Sequence, residues 1–144
     1  METAHFLTWF IVFALLSGVG LGAMIWAYTG SGSTSVLFRD PVKLPLADDS
    51  NVKTEAIAPF QQGVVSFQAG KYRQSVDQFT QAIQLDPTLA TAHHNLGLAL
   101  ANLKQDREAV SQWIRASELY AQQDQGEAIA LIKQHLESLK NREL

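Results

Sequence analysis

The chain contains no cysteine, which excludes disulfides, a thiol nucleophile and thiolate zinc ligation, and is compatible with reducing and oxidising compartments alike. It also lacks a glycine-rich phosphate loop with its lysine, and it has no His-Glu-x-x-His. The adjacent His93 and His94 do not replace such a motif, because neighbours on a helix point about 100° apart and are poorly placed to share one metal. No strong charge of one sign is present either. The formal net charge is −3, and residues 59–144 carry eight Lys/Arg against nine Asp/Glu with no basic stripe interleaved with aromatics. That balance argues against a nucleic-acid partner. No nucleophile and base can be paired from these residues, so the reading is a protein without catalysis, metal or cofactor.

Charge is missing altogether from Phe6 to Tyr28. As a helix this run is about 34 Å long, enough to cross a hydrocarbon layer of about 30 Å. Trp9, Trp26 and Tyr28 lie near its ends, where amphipathic rings favour the membrane interface. A cleaved secretory signal is the rival reading, but no Lys or Arg precedes Phe6 and the apolar run exceeds the core of such a signal. Residues 1–28 are therefore expected to be a retained single-pass anchor. Arg39 and Lys43 follow the span, which places the C-terminal part on the cytoplasmic side or its equivalent. Within the span, Ala14, Gly18 and Gly22 are spaced by four and fall on one small-residue face. Glycine is common in spanning helices, and the alternative is a packing face for a homodimer or for another protein's span.

Residues 29–58 change character. The stretch from Thr29 to Ser35 is nearly all Gly, Ser and Thr, and Pro41, Pro45, Asp48 and Asp49 follow. It reads as a flexible linker with an average reach of about 30 Å. Val36, Leu37, Phe38, Val42, Leu44 and Leu46 are more apolar than a spacer needs, so part of it is expected to dock on protein or membrane.

The remainder, residues 59–144, is patterned twice. Gly63, Ser75, Phe79, Ala82 and Leu85 are repeated by Gly97, Ala109, Trp113, Ala116 and Leu119 at an offset of 34 residues. Glycine inside a helix costs about 1 kcal/mol against alanine, and close approach of a second helix is the economical reason to keep it. Small residues seven apart then present one stripe on each second helix, with Phe79 and Trp113 beside it. Gly70 marks a left-handed turn and Asp86-Pro87 ends the first unit, whereas Lys104 and Ala121 stand at the equivalent places in the second. A last helix, about residues 124–141, is expected to open on an Asp124–Glu127 capping box and to bury Ala128, Leu131, Ile132, Leu136 and Leu139, with His135 on the same side.

This period and pattern resemble the tetratricopeptide repeat (TPR), a two-helix unit that stacks into a solenoid. The fold expected is all-α: a transmembrane helix, a linker, two repeats at about 56–89 and 90–123, and a capping helix. The resemblance implies a scaffold whose first helices line a concave groove for a partner's peptide or helix. Carried across residue by residue, that groove would present Phe60, Val64, Phe67, His94, Asn95, Leu98 and Asn102. Two occupants are open: a partner protein's segment, or in cis the chain's own residues 36–38 or 42–46. In architecture and in the stretch Leu119-Tyr120-Ala121-Gln122-Gln123 the chain also resembles TPR assembly factors of photosystem I. The implied function is a membrane-tethered adaptor assisting assembly of a membrane complex, the alternative being a permanent structural subunit of one.

Overall fold

The structure, a computed structural model, describes residues 36–43 and 52–142. All of them belong to the compact unit Val36–Leu144. The expected span and its Ala14, Gly18 and Gly22 face lie outside the described residues. Among the described residues no helix is long and apolar enough to cross a membrane.

Five helices follow one another: α1 (Thr54–Gln68), α2 (Tyr72–Leu85), α3 (Ala90–Asn102), α4 (Asp106–Gln122) and α5 (Gly126–Arg142). No strand occurs among the described residues. The helices form two hairpins, α1 with α2 and α3 with α4; α2 packs on α3, and α5 closes the far end on α4. Helix α1 begins at Thr54, ahead of Pro59 and inside the stretch read as linker. Proline at that depth removes only the bond to the carbonyl of Glu55, a residue exposed to water.

Each hairpin is built on one glycine and one aromatic ring. A Cβ on Gly63 would stand 2.6 Å from the Phe79 ring, and a Cβ on Gly97 would run into the Trp113 indole. Both rings are fully buried, beside Ala82 and Ala116. Polar bonds fix the contacts. Ser75 Oγ donates to the Gly63 carbonyl at 3.0 Å, and Trp113 Nε1–H donates to the His94 carbonyl at 3.1 Å.

Three of the turns share one backbone device. Gly70, Lys104 and Asp124 have φ of 73°, 62° and 56°. In each case the next residue's N–H reaches five residues back, Lys71 to Ser66, Gln105 to Leu100 and Gln125 to Tyr120, all at 2.9 Å. This is the Schellman ending, which satisfies helix-terminal carbonyls by a left-handed residue. It corrects the expected Asp124–Glu127 capping box: an N-cap needs extended backbone, and Asp124 is left-handed because it ends α4. The remaining turn is closed by Asp86, whose carboxylate accepts from the Thr88 N–H at 3.0 Å, the Thr88 hydroxyl at 2.7 Å and the Lys53 N–H at 3.2 Å. Burial pushes this carboxyl up, but the hydrogen bonds outweigh it and hold the group below its ordinary value.

Helix α3 is the centre of the unit, with every residue from Ala90 to Ala101 buried. A helix flanked only by neighbours in a solenoid keeps an open face. Here that face is covered by residues 36–43, a strap outside the five helices that bends at Leu37 and Asp40.

Candidate protein-interaction groove

Thr91, Asn95, Leu98 and Asn102 are spaced by four, three and four, so they share one face of α3. Two of them grip the strap through its backbone. The Asn102 side chain accepts from the Phe38 N–H at 3.0 Å and donates to the Phe38 carbonyl at 2.8 Å. Asn95 does the same for Val42, at 2.7 Å in both directions. A carboxamide carries the same donor and acceptor as a peptide group, so each Asn pairs with the strap as an adjacent strand would. The chain bends at Asp40 between the two gripped residues, and Phe38 and Val42 both turn N–H and carbonyl towards α3. The strap runs antiparallel to α3, Phe38 at the C-terminal end and Val42 nearer the N-terminal end. Pro41 between them biases Asp40 to extended geometry.

This grip reads conformation and direction, not side chains. Side chains are read beside it: Pro41 is buried, Leu37 and Val42 pack against the core, and Phe38 goes deepest. The Phe38 ring is buried edge-on to Trp113 of α4, with centroids 5.6 Å apart, and to His135 of α5, 4.8 Å apart. His135 Nδ1 lies 3.0 Å from His94 Nε2, and His94 Nδ1 lies 3.4 Å from the Tyr120 hydroxyl. Burial, with His135 second, pulls His94 down to about 3, and burial pulls His135 down to about 4. Burial also holds the Tyr120 phenol protonated. Near pH 7 both imidazoles are therefore neutral, and one proton is shared between the facing nitrogens. The pocket wall is an uncharged chain of aromatic rings suited to an aromatic guest.

The other groove residues fall differently. Phe60 is buried against Phe79, with centroids 5.5 Å apart, and Phe67 against Tyr72, 5.2 Å apart. Both rings serve the packing of α1 on α2, which differs from the expectation that the groove presents them. Val64 is half-buried on the same core. Leu98 is fully buried between the two asparagines, and His94 turns to Tyr120 and His135. The adjacent His93 points elsewhere, its Nδ1 2.8 Å from Gln112 Oε1. No group of three metal-ligating side chains occurs among the described residues. Helical spacing puts His135 on the buried stripe of the last helix, but no feature of the sequence marks its meeting with Phe38.

Residues 63–104 match the TPR repeat family. The matched stretch runs from the glycine under Phe79 to the turn that ends α3, and so contains both asparagines. TPR repeats generally bind protein partners and are typically not catalytic, which suggests a protein–protein interaction adaptor. No curated protein and no solved structure matches the chain.

Proposed function

We propose that this chain is a membrane-tethered adaptor that captures an extended segment of a partner protein in the groove of α3, α4 and α5, and so assists assembly of a membrane protein complex. The observation that carries the reading is the pair Asn95 and Asn102, spaced by two helical turns and each presenting a peptide-like edge. Such an edge serves a segment of any sequence that is extended and has an N–H at the two gripped positions. The tether rests on the uncharged run from Phe6 to Tyr28, and the cytoplasmic side on Arg39 and Lys43. The resemblance to photosystem I assembly factors names one such complex, in a photosynthetic membrane.

Two measurements test this. The full chain should stay with the membrane under alkaline extraction; release would remove the tether. Solubilised in mild detergent, it should bring down a membrane complex at less than one copy per complex, and the pair Asn95→Ala and Asn102→Ala should lose that complex with helicity unchanged. Retention of the complex by the folded double variant would overturn the groove, and one copy per complex would make the chain a structural subunit.

A further inference from the structure

The strap shows what the groove accepts. Its backbone is held at Phe38 and Val42, its Phe38 ring is enclosed, and Val42 packs on the core. Arg39, Asp40 and Lys43 are exposed, so they add little to recognition. The strap's hold consists of two carboxamides, the enclosed Phe38 ring, the buried Pro41, and Leu37 and Val42 at the edge of the core, all within eight residues that a second segment can replace.

We propose that residues 36–43 are a resident mimic of the partner, and that the groove selects an extended protein segment with an aromatic residue four places before an aliphatic one. This rests on the adaptor reading above. The four-residue spacing comes from the asparagines. Seven residues of helix separate them by about 10.5 Å, and four residues, which span at most about 13 Å when extended, cover that distance with the bend at Asp40. Two or six residues would not bring both backbone edges to both carboxamides. Proline is excluded at the gripped positions, because each must donate an N–H. It is welcome just before the second, as Pro41 is. The aromatic preference comes from the ring walls of Trp113 and His135, and the pocket's lack of charge disfavours a cation or a carboxylate there. Beyond Asn95 along the same face, Thr91 has a buried hydroxyl with no partner among the described residues. A longer segment continuing past the aliphatic residue meets it. Eight residues, 44–51, join the strap to residue 52, where α1 is about to begin. A tether that short holds the strap at an effective concentration of order millimolar, so an incoming segment competes against a resident.

The test uses the full chain in detergent micelles and a fluorescein-labelled peptide of residues 36–43. Fluorescence anisotropy compares the unaltered chain with a chain whose strap is disabled by Phe38→Ala and Val42→Asp. The peptide should bind the disabled chain about tenfold tighter or better, the ratio of a millimolar effective concentration to a sub-millimolar intrinsic affinity. Replacing the peptide's own phenylalanine by alanine should weaken that binding at least tenfold, as should Asn95→Ala with Asn102→Ala in the disabled chain. Equal binding to both chains, or none to a disabled chain that keeps its helicity, overturns the proposal. A second measurement needs no substitution: millimolar unlabelled peptide should raise deuterium uptake in residues 36–43 of the unaltered chain, and unchanged uptake also overturns it. A dimer that Phe38→Ala converts to monomer would mean that the strap is exchanged between copies, and that too overturns the in-cis mimic. Failure of the peptide while the asparagine variants still lose the membrane complex would sink this inference alone; loss of neither sinks the adaptor reading.

Discussion

The side-chain amide of Asn102 forms both hydrogen bonds that an antiparallel strand would make with Phe38, accepting from its N–H and donating to its carbonyl. A residue of the third helix thus fixes the conformation of a segment that precedes the first. The same relation between Asn95 and Val42 lies two turns along, so the two grips reinforce each other through the short stretch between them.

Asn102→Ala should therefore loosen the strap from one end. It removes two hydrogen bonds and leaves the Phe38 N–H and carbonyl unmet at a partly buried site, at a cost of about 1–3 kcal/mol. Hydrogen exchange at the Phe38 amide should accelerate by tenfold or more, with a smaller change at Val42, while Asn95→Ala should reverse the order. Equal exchange at both amides in both variants would mean that the strap opens as one piece.

The close approach at Gly97 makes a sharper demand. A methyl group there meets the Trp113 indole, and that ring is already pinned by its bond to the His94 carbonyl. Gly97→Ala should gain helix propensity of about 1 kcal/mol and still lose, since overpacking a fixed core costs about 1–3 kcal/mol or more. Gly126, at the start of α5, has nothing within 4 Å of the same methyl group, so Gly126→Ala should move stability by no more than about 0.5 kcal/mol. Thermal unfolding should separate the two variants by several degrees. Coincident melting curves would contradict the packing described here.

These two sites differ in how far the sequence discloses them. Gly63 with Phe79 and Gly97 with Trp113 recur at one period, so the repeat is legible in the sequence. The turns were half-readable. Gly70 is the residue a left-handed helix ending prefers, but Lys104 and Asp124 adopt the same conformation without announcing it. Asp124 even imitates a capping box, because the spacing to Glu127 is a local pattern that the backbone does not use. Phe60 and Phe67 read as groove lining because periodicity marks an apolar face without saying which neighbour covers it. The Phe38 pocket has no local signature at all, since its walls come from α4 and α5, far along the chain. The apolar excess of the linker was the one clue, and it left two docking stretches open.

Acid should lower the stability of the fold through His94 and His135 before either ring protonates in the native state. His94 and His135 are held near 3 and 4, below the ordinary histidine value of about 6.5. The unfolded chain therefore binds more protons than the native one as pH falls below about 6.5. Their contribution to stability is present in full above that value and declines down to about pH 3, where the native rings also protonate. Tyr120 is the other titratable group bonded to His94, and burial keeps it neutral throughout. The ring resonances of these two histidines should stay flat between pH 7.5 and 5 in a nuclear magnetic resonance titration, and stability should fall over the lower part of that range. Either ring titrating near 6.5 in the folded protein would refute the buried, neutral pair.

Two of the helix-ending turns hold a left-handed backbone without glycine. Lys104 and Asp124 sit at φ of 62° and 56°, where a Cβ crowds the backbone at a cost of about 1–2 kcal/mol per residue. Glycine relieves that strain but adds about 0.4–1 kcal/mol of unfolded-chain entropy to be lost on folding. The difference favours glycine, so Lys104→Gly should stabilise by about 0.5 kcal/mol, and Asp124→Gly by a similar or smaller amount because aspartate tolerates this region better than lysine. The reverse substitution at the third such turn gives the control. Gly70 has φ of 73° and open space around it, so Gly70→Ala should destabilise through backbone strain alone, by about 1 kcal/mol. Chemical denaturation of the three variants should order them with Lys104→Gly above the unaltered chain and Gly70→Ala below it. A destabilised Lys104→Gly would mean that the lysine side chain contributes more at that turn than its backbone strain removes.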